Sequence, residues 1–108
     1  MKKVYNKLVR DRIPEIIEAS GQRCITEILD DEAYLEMLDK KLDEELAEYH
    51  RDGSIEELAD LLEVIYAAAA AQGCSAEQLD AVRREKAERR GGFGKRVFLT
   101  AVTDADDD

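Results

Sequence analysis

Residues 44–60 of the chain, EELAEYHRDGSIEELAD, end one helical pattern and begin another. Asp52 and Gly53 form a turn signal. Ser54 and Glu57 then have the spacing of a capping box, in which side chains satisfy backbone N–H groups at the start of a helix. The stretch predicts two helices joined by a short turn, and a short turn places consecutive helices side by side as an antiparallel hairpin.

Helical periodicity continues on both sides of this turn. Before it, apolar side chains recur at helical spacing from Leu35 to Tyr49, behind a cap at Asp30 or Asp31. After it, the helix is apolar on nearly every side from Leu61 onward, which is typical of a helix buried in its subunit or at an oligomer interface. The predicted helices cover residues 12–20, 31–51, 55–72 and 76–90.

The remaining segments read as extended chain. We predict an arm at residues 1–9, a short strand at 24–28 and a short strand or arm at 95–102. The predicted fold class is all-α, an antiparallel helical hairpin or bundle of three to four main helices with short extended termini. We expect one domain over residues 1–103 and a disordered acidic tail over 104–108.

Length and charge limit the classes of function. A chain of 108 residues has room for one core, and its net charge of −10 does not suggest a partner with a nucleic-acid backbone or an anionic membrane surface. A polyanionic substrate would need metal cations between itself and the protein. No apolar run is long enough to span a bilayer and no secretion signal opens the chain, so we expect a cytoplasmic protein.

Four acidic side chains flank the turn in two pairs. Glu45 and Glu48 are three residues apart, as are Glu57 and Asp60, so each pair shares one face of its helix. Both pairs lie at the edge of an apolar stripe, where unpaired carboxylates are costly to bury and a hard divalent cation such as Mg²⁺ would neutralise them. Spacing alone leaves three other interpretations open: the acids are solvated surface, Glu57 only caps a helix, or Glu48 pairs with Arg51.

The acidic pattern resembles a known family signature. Glu44-Glu45-Leu-Ala-Glu48 followed by Glu57-Leu-Ala-Asp60 is similar to the Glu-x-x-Glu…Glu-x-x-Asp motif of the MazG-like all-α nucleoside triphosphate pyrophosphohydrolases. The opening YNKLVRDRIP, residues 5–14, looks like the N-terminus of the phosphoribosyl-ATP pyrophosphohydrolase-like branch, and residues 85–96 are similar too. The resemblance covers about residues 4–99. One departure is the gap of eight residues between the two acidic pairs, which is shorter than in many members.

The resemblance implies an activity and a set of site residues. The activity is Mg²⁺-dependent hydrolysis of a nucleoside triphosphate between the α- and β-phosphates, with Mn²⁺ as the alternative ion. Glu44 would orient the attacking water or act as its base. The resemblance also implies a homo-oligomer, a dimer or a tetramer. The implied metal ligands are Glu45, Glu48, Glu57 and Asp60.

Several basic residues are candidates for contact with phosphate groups. Lys86 and Arg90 line up with apolar residues of the last helix, where they either reach a substrate or lay their stems on the surface with their charges in water. Other cations lie in the arms and would either clamp phosphates or form ion pairs: Arg10, Arg12, Lys95 and Arg96. Two alternative functions stay open. One is hydrolysis of phosphoribosyl-ATP, and the other is a non-catalytic acidic helical module that binds a protein partner, which the short gap favours.

Overall fold

The computed structural model describes residues 1–106. Their regular secondary structure is helical, and irregular segments connect and flank the helices. Its four α-helices are α1 (Ile13–Ala19), α2 (Asp31–Asp52), α3 (Ile55–Ala71) and α4 (Ala76–Arg90). No strand forms within the described residues, and the all-α fold class is confirmed. The chain forms two compact units, Met1–Ala76 and Glu77–Asp108. The predicted acidic tail reaches past the described part of the chain, because Asp107 and Asp108 lie outside it.

Both helices of the hairpin begin where the sequence predicts, and each ends within one residue of its predicted end, α2 at Asp52 and α3 at Ala71. The carboxylate of Asp30 accepts a hydrogen bond from the backbone N–H of Ala33, which caps α2. Gly53 ends α2 in the left-handed region, with φ 64°. The hydroxyl of Ser54 accepts a hydrogen bond from the backbone N–H of Glu57 and caps α3. Because these contacts are local, they can be predicted from residue type and spacing.

A narrow core lies between α2 and α3. Leu38 of α2 and Val64 of α3 are the buried hydrophobic residues in the described part of the chain, and Glu45 is the buried charged one. A second apolar stripe of α3 remains exposed, including Leu58, Leu62 and Ile65 at helical spacing. The hairpin therefore buries one stripe of α3 and leaves another without cover.

The strand predicted at residues 24–28 is wrong. This segment is irregular, and Ile25 and Ile28 are almost fully exposed. A strand needs a neighbouring strand to satisfy its backbone groups, and the described residues provide none. The segment contacts α1 through Cys24, whose thiol donates to the carbonyl oxygen of Pro14 at 3.8 Å. Residues 95–102 likewise form an exposed arm without a strand.

The second unit consists of most of α4 and the arm that follows it. The helix ends at Gly91, which has φ 81° and donates its N–H to the carbonyl of Ala87. The carboxylate of Asp80 forms ion pairs with Arg83 and Arg84 of the same helix.

Among the described helices, none combines the length and the apolar character that crossing a bilayer requires.

Candidate metal centre

Three carboxylates from the two hairpin helices converge on one point. Glu45 of α2 and Glu57 and Asp60 of α3 each offer an oxygen, and these three oxygens all lie within 4.8 Å of one another. Glu45 is buried, whereas Glu57 and Asp60 are partly exposed. The triad therefore lies at the seam of the hairpin, with one side open to solvent.

The short turn keeps the acidic residues level with one another. Glu45 lies eight residues before Gly53, and Asp60 lies seven residues after it. At a rise of about 1.5 Å per residue, these two side chains stand at nearly the same height on antiparallel helices. Glu48 and Glu57, nearer the turn, match in the same way. The gap of eight residues therefore does not separate the two acidic pairs.

Two oxygens of the triad lack a partner that a cation could provide. Glu45 Oε2 and Glu57 Oε2 are buried and find no hydrogen-bond partner among the described residues. The other oxygen of Glu45 lies 3.3 Å from Lys41 Nζ. A buried polar atom without a partner costs free energy, and a divalent cation would satisfy both oxygens at once. The donors are all carboxylate oxygens, the type that Mg²⁺ and Mn²⁺ prefer, so the residues present fit such an ion.

The electrostatics of the triad favour a bound cation in the same way. Burial raises the pKa of the Glu45 carboxyl, and repulsion from Glu48 adds to the rise, while the contact with Lys41 opposes it. Burial also raises the pKa of Glu57, and the carboxylates around it, Glu48 foremost, reinforce the effect. A pKa is raised when negative charge is poorly compensated, and a cation would supply the missing compensation.

Glu48 lies beside the triad rather than within it. The group of oxygens within 4.8 Å contains Glu45, Glu57 and Asp60, without Glu48. Its carboxylate is nevertheless close enough to raise the pKa of both Glu45 and Glu57. Of the four ligands that the resemblance implies, the structure brings three together and places the fourth next to them.

Glu44 lies outside the triad and forms ion pairs with two lysines. Its Oε1 accepts from Lys7 Nζ at 3.1 Å and lies 3.4 Å from Lys41 Nζ. Burial of Glu44 opposes its ionisation, but the ion pairs with these two lysines outweigh that effect and lower its pKa. The hydrogen bond to Glu44 in turn raises the pKa of Lys7.

The N-terminal arm brings a cation onto the triad itself. Arg10 Nη2 lies 2.7 Å from Asp60 Oδ1, although 50 residues separate the two in sequence. Arg12, the other basic candidate in this arm, pairs with its neighbour Glu15 and is largely exposed. Of these two candidates, Arg10 touches the acidic site and Arg12 does not.

The remaining basic candidates belong to the second unit. Lys86 and Arg90 are exposed on α4, and Lys95 and Arg96 are exposed in the arm that follows. Arg96 has a positive φ of 60°, and its N–H donates to the carbonyl of Phe93. Their predicted contact with substrate phosphates stays a prediction.

Sequence reasoning did not single out Lys7 and Lys41. The signal for Lys41 was present, because it precedes Glu44 and Glu45 by three and four residues and so shares their helix face. Lys7 had no such signal, since its partner Glu44 lies 37 residues away in the chain.

Comparison with known proteins adds one relative. No protein-family model matches the chain, and no solved structure matches it. A protein of Mycolicibacterium smegmatis (strain ATCC 700084 / mc(2)155), itself described as an uncharacterized protein, is 50% identical over 54 residues. The match covers 46% of this chain and 55% of the relative, so the chain spans about half the length of the curated relative that it matches.

Proposed function

We propose that the protein is a Mg²⁺-dependent nucleoside triphosphate pyrophosphohydrolase, which releases a nucleoside monophosphate and pyrophosphate. The observation that carries this function is the triad, in which two buried carboxylate oxygens have no hydrogen-bond partner in the described part of the chain. The acidic signature and both flanking segments resemble those of MazG-like enzymes, and this resemblance is the reason to propose nucleotide hydrolysis at the triad. Mn²⁺ is the alternative ion.

The acidic residues of the hairpin would have different roles in such a reaction. Glu45, Glu57 and Asp60 would hold the cation, with Glu48 beside them as the fourth candidate ligand. When bound, Mg²⁺ supplies Lewis acidity to phosphoryl oxygens and to the attacking water. Glu44 is better suited to orienting lysines or water than to accepting a proton, because its pKa is lowered.

Basic residues would compensate the charge of the phosphates. Arg10, held by Asp60 at 2.7 Å, is the nearest cation from the N-terminal arm, and a metal ion on Asp60 would weaken that ion pair. The released guanidinium would then be available to a phosphate oxygen. The other proposed phosphate contacts are Lys86, Arg90, Arg12, Lys95 and Arg96.

We also propose that the enzyme acts in the cytoplasm as a homo-oligomer, on a small nucleotide rather than on a nucleic-acid polymer. The exposed stripe of α3 that includes Leu58, Leu62 and Ile65 supports self-association, because exposed apolar stripes of this kind mark interaction sites.

The activity is tested with Mg²⁺, a panel of nucleoside triphosphates, phosphoribosyl-ATP, and detection of released pyrophosphate. We expect turnover in the wild type and its loss in Glu45→Gln and Asp60→Asn, with helical content retained. Glu63→Gln is the matched control, because Glu63 is an exposed acid of the same helix as Asp60, outside the triad.

Each other outcome of this experiment has a defined meaning. Unchanged hydrolysis in Asp60→Asn would remove that residue from the site, and release of orthophosphate would reject both enzymatic functions. Turnover of phosphoribosyl-ATP alone would select the second enzymatic function. Binding of Mn²⁺ at the triad without hydrolysis of any nucleotide would instead favour the non-catalytic binding module.

A further inference from the structure

Two ion pairs fasten the N-terminal arm to the hairpin. Lys7 Nζ lies 3.1 Å from Glu44 Oε1 on α2, and Arg10 Nη2 lies 2.7 Å from Asp60 Oδ1 on α3. Every residue from position 1 to position 12 except Leu8 is exposed, so apolar packing contributes little to holding the arm. The position of the arm therefore depends largely on these two ion pairs.

One of these ion pairs involves the carboxylate triad and the other does not. Asp60 is a member of the triad, whereas Glu44 lies outside it. Arg10 brings one positive charge to Asp60, yet Glu45 Oε2 and Glu57 Oε2 still have no hydrogen-bond partner among the described residues. The guanidinium therefore compensates part of the negative charge of the triad and leaves the rest uncompensated.

A divalent cation would bind the triad more strongly than Arg10 does. The side chains of Arg10 and Asp60 are 57% and 41% exposed, and an ion pair this exposed is weak because water and salt screen it. Mg²⁺ has twice the charge of a guanidinium and approaches a carboxylate oxygen to about 2.1 Å. It would also meet three carboxylates at once, where Arg10 meets one. The cation would therefore win a competition for Asp60.

We infer that Arg10 and the divalent cation compete for Asp60, so that the N-terminal arm is fastened to the metal-free triad and is released at Arg10 when the cation binds. The inference rests on the proposed function, because it takes the triad as the metal site. It adds an order of binding to that function: the cation binds first, and the phosphate groups then meet the guanidinium that the cation has released.

The second ion pair keeps the released guanidinium close to the site. Glu44 lies outside the triad, so a cation on the triad leaves its contact with Lys7 in place. Three residues of extended chain span at most about 10 Å, which limits how far the backbone of Arg10 can move from that of Lys7. Release at Arg10 therefore changes the partner of the guanidinium without detaching the whole arm.

Calorimetric titration of Mn²⁺ into the nucleotide-free protein, at physiological ionic strength, measures the competition. Removing the competitor in Arg10→Gln should lower the dissociation constant of Mn²⁺ by roughly two- to fivefold, which corresponds to the loss of one exposed ion pair. Arg12→Gln is the matched control, because Arg12 lies in the same arm, is largely exposed and pairs with Glu15. It should bind Mn²⁺ as the wild type does.

NMR of the Arg10 side chain reports the release itself. Its Nε–H resonance is assigned by its absence in Arg10→Gln. Adding Mg²⁺ to the wild type should move this resonance toward its position in Asp60→Asn, where the carboxylate partner is absent. Coupling between two sites is reciprocal, so the cation should weaken the ion pair by the same factor by which Arg10 weakens the binding of the cation.

The results separate the competition from the proposed activity. Equal Mn²⁺ affinity in the wild type and Arg10→Gln, or an Arg10 resonance that saturating Mg²⁺ does not move, would overturn the competition and leave the metal site standing. An equal gain in affinity in Arg12→Gln would show a general charge effect and would also overturn it. A gain confined to Arg10→Gln, together with the moved resonance, would support the competition even if no nucleotide is hydrolysed. Absence of Mn²⁺ binding in every variant and in the wild type would overturn both the competition and the metal site.

Discussion

Glu45 is the residue whose placement is hardest to explain without a ligand. Its exposed fraction is 7%, which makes it nearly as buried as the core residue Leu38. Lys41 compensates one of its oxygens, and the other has no partner among the described residues. The convergence of Glu57 and Asp60 on the same point fits the proposed cation, which would supply the partner that this oxygen lacks.

The raised pKa of Glu45 predicts how the stability of the metal-free protein depends on pH. Because the folded state binds this proton more tightly than the unfolded state, its contribution is complete below the ordinary glutamate pKa of about 4.3 and is lost as pH rises through the raised folded-state pKa. Glu45→Gln has no charge to bury. We expect the metal-free variant to exceed the wild type in unfolding free energy at neutral pH by roughly 1 kcal/mol.

Urea unfolding followed by circular dichroism measures this difference. The advantage of Glu45→Gln should shrink as the pH falls toward the ordinary glutamate pKa. Adding Mg²⁺ at neutral pH should stabilise the wild type and leave the variant unchanged, since a ligand stabilises only the state that binds it. A metal-free variant less stable than the wild type at neutral pH would show that the Lys41 contact outweighs the cost of burial.

The turn between α2 and α3 is the element that assembles the site. Two residues, Gly53 and Ser54, separate the helices, and Gly53 donates its N–H to the carbonyl of Tyr49 at 2.7 Å. A longer or shorter turn would change the heights of Glu45 and Asp60 relative to each other. The backbone conformation of Gly53 therefore controls the geometry of the triad.

Replacing Gly53 tests the cost of its left-handed backbone conformation. Gly53 has φ 64°, and an added Cβ would meet nothing within 4 Å, so the cost of Gly53→Ala is one of backbone strain alone. We expect a loss of about 1 kcal/mol in unfolding free energy, the cost of a left-handed conformation for a residue with a Cβ. Gly92→Ala is the matched control, because Gly92 also has open space and lacks a left-handed φ. Equal stability of the two variants would contradict this account of the turn.

The N-terminal arm is the second element that shapes the site. Lys7 and Arg10 fasten it to the hairpin through Glu44 and Asp60, one contact to each helix. The arm has no regular structure near these residues, and Asn6 adopts a positive φ of 48°. Its position therefore depends on ion pairs with the acidic face of the hairpin rather than on helix formation.

At the scale of the whole molecule, α3 exposes apolar side chains that the packing against α2 does not cover. Leu58, Leu62 and Ile65 form a stripe on α3, and each is at least 36% exposed. Stable interfaces bury roughly 1,200–2,000 Å² in total, and helix-on-helix pairing of this stripe with a second copy would provide the apolar centre of such an interface. Self-association is therefore the expected state of the protein.

Light scattering after size-exclusion chromatography checks the oligomeric state. We expect a dimer or tetramer for the wild type and a shift toward monomer for Leu62→Glu, because a charge at the centre of an apolar stripe opposes pairing. Glu63→Gln, a change at the neighbouring exposed position, should not alter the mass. A monomeric wild type at micromolar concentration would sink this prediction.

Much of the fold could be predicted from the sequence, because the helices begin and end through local interactions. The cap at Asp30, the left-handed Gly53, the cap at Ser54 and the ends of α2 and α3 all depend on neighbours within four residues, so periodicity and residue type suffice. The acidic pairs were predictable for the same reason, because spacing along one helix places each pair on one face. The strand at residues 24–28 failed because a strand requires a distant partner.

Contacts between distant parts of the chain required the tertiary structure. The packing of α2 against α3 decides that Glu48 lies outside the triad. The path of the N-terminal arm brings Arg10 to Asp60 and Lys7 to Glu44. Neither periodicity nor capping encodes such pairs, because side chains tens of residues apart meet only after the helices have docked. The physical reason is range: helix formation depends on near neighbours, whereas a site built from several elements depends on how their faces meet.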